Sequence, residues 1–264
     1  MLRSRVYHLI CTPARCIALV NGILEKRRVI HAADTQYLSS IEKPIFLWEP
    51  MEGSCRPEEL ESFYEALKFV DVFSPNGHEL ASLFHDPKDP KQGIHSREEL
   101  KRDCAKILAL GFGNKPSALV VRLGENGCFV GMINRFMNIP PWHSPKTILP
   151  SFDATGCGNT FMGGFAAGLL AMDELLKKGF TEFEVGAIYG SVAASFAIEQ
   201  VGMPRLTHGA DGEELWNGKS VQERLRLMRR RILRTLGAPP AVPQEKLREM
   251  WPFLLDGYSH KGEL

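Results

Sequence analysis

The chain lacks nearly every feature that would assign it a role by bulk composition. Its 32 Lys and Arg against 31 Asp and Glu leave a formal net charge of +1. That balance excludes a protein that coats nucleic acid through general charge, or one built on an acidic tail. The six cysteines, at 11, 16, 55, 104, 128 and 157, contain no C-x-x-C pair and no metal-like spacing with histidine. A disulfide framework and a zinc ribbon are thereby excluded, and the thiols read as the reduced thiols of a cytosolic protein. Cys11 and Cys16, on either side of Pro13, read as packing residues. No apolar run reaches the ~20 residues that a bilayer span needs. The longest uncharged stretch, Ala154 to Met172, is glycine-rich and polar in its first half. A secretory leader is not legible either: His8, Pro13 and Arg15 interrupt the first apolar run, and no small-residue cleavage site follows. The expectation is a soluble, cytoplasmic protein with no membrane contact.

What remains is ordinary for a globular chain: 264 residues, 44% hydrophobic and 24% charged. That is enough for one sizeable α/β domain, or a domain with an appendage. Val6–Cys11 reads as a buried strand, and Pro13 opens a helix expected to run to about Arg27. Pro44–Trp48 is a second short apolar run. Leu60, Phe63, Tyr64 and Leu67 fall at helical spacing within Pro57–Lys68. Val70–Phe73 reads as a strand ended by Ser74-Pro75-Asn76-Gly77, with a helix over Leu80–Phe84 and an exposed loop at Asp86–Pro90. A helix over Ser96–Leu110, a strand at Leu119–Arg122 and a returning strand over Gly127–Met132 follow. Alternating strands and helices imply a mainly parallel sheet covered on both faces, with ligands at the carboxyl ends of its strands.

Asp153 to Gly164, D-A-T-G-C-G-N-T-F-M-G-G, is the most informative stretch. Gly156, Cys157 and Gly158 make a tight turn that runs into the apolar segment Phe161–Met172, the pattern of a strand, a glycine turn and a helix start. Backbone N–H groups at a helix start lack partners within the helix and carry partial positive charge, so such a turn is an anion cradle. Asn76 and Glu79, three residues apart, have the spacing of a capping box at a helix start.

These residues resemble the second signature of the PfkB, or ribokinase-like, carbohydrate kinases. Asp153, Thr155, Gly156, Gly158, Phe161, Gly163 and Gly164 match it, and Ala154 and Cys157 are mild variants. Phe73–Glu79 resembles the family's N-x-x-E element, Val120–Gly127 its strand-turn T-L-G-x-x-G, and Gly190–Gly202 the small-residue helix beside the adenine pocket. The resemblance spans residues 5–205. It implies a doubly wound sheet with helices on both faces and a C-terminal helical extension, with the lid and first strands missing. Residues 1–209 would be a partial nucleotide-binding domain, and 210–264 a basic helix and tail. It also implies ATP and Mg²⁺ as cofactors and a sugar or nucleoside acceptor. Gly156, Cys157 and Gly158 would form the anion hole, with Asn76, Glu79, Arg122, Gly124, Gly127, Thr155 and Ser191 on the nucleotide side. Glu79 would serve Mg²⁺ through water, and Asp153 a monovalent cation. Arg122 stands where the family commonly has Thr. Asn159 stands where the family has its catalytic Asp, which implies impaired phosphotransfer.

Val221, Leu225, Met228, Ile232 and Leu236 recur at helical spacing. Lys219, Arg224, Arg226, Arg229, Arg230, Arg231 and Arg234 accompany them against Glu223. This basic helix reads first as a solvated outer face with its apolar stripe on the domain, and second as a site for RNA, an anionic membrane or an acidic partner. Gly237–Pro240 is expected to end it, and the tail to Leu264 reads as a docking segment. Asn159, the segment Tyr7–Pro13 and Trp216-Asn217-Gly218 with the basic helix resemble a fungal branch of the family associated with killer-virus maintenance. That resemblance implies a non-catalytic scaffold supporting double-stranded RNA virus particles. His8, His78 and His143 lack partner motifs and read as surface or packing residues.

Overall fold

A computed structural model describes residues 2–33, 43–51, 53–85, 97–112, 117–133, 135–144, 146 and 152–236. The loop expected at 86–90, the helix stop at 237–240 and the tail to 264 lie outside the described residues. Among the described residues, no helix is long and apolar enough to cross a membrane.

Among the described residues, nine strands and seven α-helices follow one another. They are β1 (Val6–Cys11), α1 (Pro13–Ala33), β2 (Ile45–Pro50), α2 (Leu60–Leu67), β3 (Val72–Phe73), α3 (Gly77–Ser82), α4 (Arg97–Leu110) and β4 (Ala118–Arg122). Then come β5 (Cys128–Met132), β6 (Arg135–Ile139), α5 (Cys157–Leu169), α6 (Glu182–Ala197), β7 (Leu206–His208), β8 (Glu214–Trp216), β9 (Lys219–Ser220) and α7 (Val221–Leu236). The main sheet has the order β1-β2-β3-β4-β5-β6. β1 to β4 pair in parallel, with Val6 opposite Ile45, Leu47 opposite Val72 and Val72 opposite Ala118. The β4–β5 and β5–β6 connections are too short for a parallel crossover, which makes the sheet mixed but mostly parallel. The expected α/β architecture is the observed one.

The chain forms two compact units, one from Met1–Val121 and Gly131–Arg135, the other from Arg122–Val130 and the stretch beginning at Phe136. In the first, Trp48, Phe63 and Phe73 make an aromatic cluster with ring centroids 4.9–5.8 Å apart. The Trp48 indole N–H donates to the Cys11 carbonyl at 3.0 Å, so the largest side chain of this core leaves no stranded donor. Helix α2 buries Phe63, Ala66 and Leu67 against that core, as its spacing requires. Burying each large apolar side chain of this kind contributes about 1.5–3 kcal/mol. Helix α1 runs six residues past the expected end at Arg27, which donates to the Leu2 and Ser4 carbonyls and ties the helix back to the chain start.

In the second unit α5 packs on α6 at close range because both carry glycines at the contact. A Cβ on Gly164 would lie 2.5 Å from Ala193 Cβ, and one on Gly168 would lie 2.8 Å from Gly186 Cα. Helix α6 is longer at its start than the small-residue motif indicates. Its N-terminus is a full capping box in which Thr181 Oγ1 accepts from Glu184 N–H and the Glu184 carboxylate accepts from Thr181 N–H. The antiparallel sheet β7-β8-β9 was not expected from the sequence. It leads directly into α7.

Candidate functional site

The glycine turn is a helix N-terminus, and the helix starts earlier than its apolar stretch indicates. α5 begins at Cys157, with Gly156 as N-cap at φ 80°, ψ −9°. That left-handed conformation is the reason for glycine there, since an added Cβ would meet nothing within 4 Å. Asp153 prepares the turn: its Oδ1 accepts from Thr155 N–H at 2.9 Å, and these bonds hold its carboxyl below the usual range. The first i→i−4 bond of the helix is Thr160 N–H to the Gly156 carbonyl, at 3.0 Å. Thr160 Oγ1 donates to the same carbonyl at 2.9 Å.

The amides of Gly158 and Asn159 come before that first bond and carry the positive end of the helix dipole. The Cys157 amide is differently placed, because it already donates to the Ala154 carbonyl at 3.1 Å. The amides that precede the first helical bond are thus those of Gly158 and Asn159, and not the expected set at 156–158. The Cys157 thiol turns inward, with Sγ 3.7 Å from the Asp153 carbonyl and 3.9 Å from that of Ala194. Burial, aided by the Asp153 charge, pushes its pKa up, which disfavours the thiolate that would make it a nucleophile. Asn159, at the third helical position, is exposed. Gly163, one turn further, faces open space, unlike its packed neighbour Gly164.

The other expected residues separate by environment. Gly124 is exposed in the 3-10 turn Gly124–Asn126, at φ 56° with room around it. Gly127 has φ 83°, and a Cβ there would lie 2.1 Å from the Ile139 carbonyl oxygen, so the backbone of β6 demands its glycine. Arg122 ends β4, half-buried. Ser191 is buried on α6 with its Oγ 4.0 Å from Cys128 Sγ, and burial pushes the Cys128 thiol up to about 12. In the first unit, Asn76 and Glu79 form the complete capping box of α3. Asn76 Oδ1 accepts from Glu79 N–H at 2.8 Å, and Glu79 Oε2 accepts from Asn76 N–H at 2.7 Å. The capping reading is therefore realised in the backbone. The Glu79 charge also reaches Cys55, whose thiol is pushed up to about 12, chiefly by burial. Among the described residues, no group of three or more His, Cys, Asp and Glu could hold a metal ion.

Two of the three histidines named from the sequence have partners that no motif announced. His8 Nε2 is 2.9 Å from Glu49 Oε2, across neighbouring strands. His143 Nε2 is 3.2 Å from Glu199 Oε1, and Arg224 donates to the same oxygen at 2.7 Å. Three arginines of the basic helix are also spoken for. Arg224 stacks 3.8 Å from the Phe196 ring centroid, Arg229 pairs with the fully buried Asp173 carboxylate, and Arg231 donates to the carbonyls of Pro141 and Trp142. Leu225, Met228 and Ile232 are buried beside them, so α7 has the buried apolar stripe that its first reading expected. Arg226, Arg230 and Arg234, four residues apart, stay exposed.

Residues 53–205 match the model of the pfkB family carbohydrate kinases. An uncharacterized protein of Schizosaccharomyces pombe is 28% identical over 242 residues, covering 86% of this chain and 60% of that protein. Protein MAK32 of Saccharomyces cerevisiae is 28% identical over 232 residues, covering 83% of this chain and 55% of its own length. The chain thus spans little more than half the length of these relatives. The solved structure of Arabidopsis thaliana ribokinase complexed with ribose and ATP matches with a TM-score of 0.52 at 18% identity. It covers 86% of this chain and 57% of that one, and the fold is accordingly ribokinase-like. The Asn76 cap, the L-G-x-x-G turn and the left-handed glycine at the mouth of α5 all fall inside the matched span, and the chain belongs to the pfkB family of carbohydrate kinases.

Proposed function

We propose that this cytoplasmic pfkB-family protein binds ATP at the start of α5 and transfers its phosphoryl group weakly or not at all. The carrying observation is the pairing of an open helix mouth with an exposed carboxamide. Gly158 and Asn159 present amides before the first helical bond, and the base position is Asn159. The residues suit a phosphate: the turn is set by a left-handed glycine, Gly163 leaves space one turn along, and no carboxylate sits at the third helical position. ATP, when bound, supplies the transferable phosphoryl group.

The chain's own contributions follow from their chemistry. The amides of Gly158 and Asn159, with Gly156 and Cys157 shaping the turn, hold negative charge in a preorganised cradle. Thr155 and Gly124 lie on exposed turns and Arg122 at the half-buried end of β4, places that suit the nucleotide side, whereas Gly127 and Ser191 serve it by packing. The resemblance carries Mg²⁺ to Glu79 through water, and Glu79 Oε2 already holds the Asn76 amide. A monovalent cation would meet Asp153 at its carbonyl, since its side chain is held to Thr155. Asn159 cannot take a proton from a sugar or nucleoside hydroxyl, and general base catalysis is typically worth ~10²–10⁴ in rate.

Calorimetry with ATP, and phosphotransfer assays over a panel of sugars and nucleosides, test this reading. The expected result is ATP binding with no turnover above background. Asn159→Asp should weaken ATP binding by adding a charge beside the phosphates. It should raise turnover by ~10²–10⁴ where an acceptor site is present. Robust turnover by the natural sequence, or no ATP uptake by folded protein, would overturn it.

A second reading rests on the resemblance of Asn159, Tyr7–Pro13 and Trp216-Asn217-Gly218 to the fungal branch, with protein MAK32 among the relatives: the kinase frame would serve as a non-catalytic scaffold supporting double-stranded RNA virus particles. The exposed row Arg226, Arg230 and Arg234 is the surface such a protein or RNA partner would meet. ATP binding without product favours this reading alongside the first; product formation by the natural sequence argues against it.

A further inference from the structure

The segment after the family match is bonded to the helix turn that holds the anion loop. The last turn of α6 and its cap do two jobs. On one side they hold the loop: the Ile198 carbonyl accepts from Asp153 N–H at 2.9 Å, and the Ala194 carbonyl lies 3.9 Å from Cys157 Sγ. On the other side they are gripped from beyond residue 205. Asn217 Nδ2 donates to the Phe196 carbonyl at 3.0 Å, to Glu199 Oε2 at 3.0 Å and to Gln200 Oε1 at 2.6 Å. Its Oδ1 accepts from Arg205 N–H at 2.9 Å, which closes the β7–β8 end of the small sheet onto the same turn. Arg224 adds a second grip, donating to Ser195 Oγ at 2.8 Å and to Glu199.

Asn217 is the one non-glycine residue with positive φ among the described residues, at 51°. Asparagine tolerates that region better than most side chains, but the conformation still costs energy and persists only where its surroundings fix it. Here the surroundings are the carbonyl and side chains at the C-terminus of α6. A glycine would satisfy the backbone equally well and would lose every one of these side-chain bonds. The residue type therefore answers to the contacts as well as to the turn.

We infer that Asn217 is a positioning residue for the anion loop, setting its phosphate affinity through the last turn of α6. The inference rests on the proposed role of the α5 mouth and adds control from outside the family-matched span. Asn217→Asp keeps the shape and the left-handed preference but sets a carboxylate against three oxygens that now accept from it. Asn217→Gly removes the contacts and relaxes the backbone, and it serves where the Asp variant folds poorly.

Two readouts test the inference. Amide hydrogen exchange on the ligand-free protein should rise at residues 152–159 in both variants, with exchange in the middle of α5 and α6 unchanged. ATP titration should show affinity lowered at least about fivefold, the lower end of typical coupling between sites. A purely structural role would loosen the small sheet and the end of α6 and leave the exchange of 152–159 at its natural value; that outcome overturns the inference. If the natural protein takes up no ATP, the proposed function fails while the exchange experiment still decides the coupling.

Discussion

Replacing Gly127 and Gly124 separately by alanine distinguishes a glycine that the fold requires from one that only the turn requires. Both belong to the L-G-x-x-G turn after β4, and both have positive φ, at 83° and 56°. An L-residue held in the left-handed region costs roughly 1–2 kcal/mol, and this applies to both. Only Gly127 has a second cost. Its Cβ would lie 2.1 Å from the Ile139 carbonyl oxygen and 2.8 Å from Pro140 C and Pro141 N, all backbone atoms that cannot swing aside. Forcing extra volume into a packed site costs typically about 1–3 kcal/mol. The sum for Gly127→Ala is about 2–5 kcal/mol, against about 1–2 for Gly124→Ala, whose Cβ meets nothing within 4 Å. Urea unfolding should show that gap as a shift in midpoint at constant slope. In a domain of this size the midpoint temperature moves roughly 2–4 °C per kcal/mol, so the two variants should differ by several degrees. Equal destabilisation of the two would refute the assignment of Gly127 to packing against β6.

The remaining predictions concern buried groups. Burial pushes the thiols of Cys55, Cys104 and Cys128 from 9.0 up to about 12. Their folded pKa lies above the unfolded one, so the neutral form is favoured in the fold, and the stability they contribute is complete below pH 9 and lost progressively from there towards 12. Urea midpoints should fall between pH 8 and pH 10.5; a flat profile, with native thiols labelled as fast as in unfolded chain, would contradict the burial. Arg229→Ala should strand the Asp173 carboxylate, whose side chain is 0% exposed. Breaking such a pair from one side costs about 3–5 kcal/mol. The exposed Arg230→Ala should stay within about 0.5 kcal/mol of the natural protein, and similar losses for the two would remove the claim that Arg229 anchors α7.

What the sequence made legible follows the range of the interactions. The Asn76–Glu79 box and the Gly156 turn are set by neighbours within four residues, so their residue types announce them. Helix α2 was readable for the same reason, since one face of it is buried. Helix α6 was read only at its small-residue end. It is buried nearly all round, from Phe183 to Ala197, so no apolar stripe stands out against a polar face. The strands of the small sheet, two or three residues each, are too short for alternation to register. The Asn217-Gly218 pair is the available signal, because that dipeptide marks a tight hairpin.

The contacts that no local pattern could show are those of His143, Glu199, Arg224 and Asp173 with Arg229. Their partners lie 25 to 56 residues apart in the chain. Charge runs carry no record of which members are consumed by such contacts. α7 is basic throughout in sequence, yet Arg224 and Arg229 neutralise buried or part-buried carboxylates and Arg231 satisfies two carbonyls; the row at 226, 230 and 234 stays exposed, with Arg226 3.8 Å from the exposed Glu223. The same logic applies at Asn159. Its identity was plain from the sequence, but the shift of the open amides onto Gly158 and Asn159 required knowing that Ala154 had taken the Cys157 amide. With the amide and the side chain of one residue both at the helix mouth, a carboxylate there would sit beside any bound phosphate, and a carboxamide does not repel it. Neutrality at position 159 thus favours holding an anion over activating a hydroxyl.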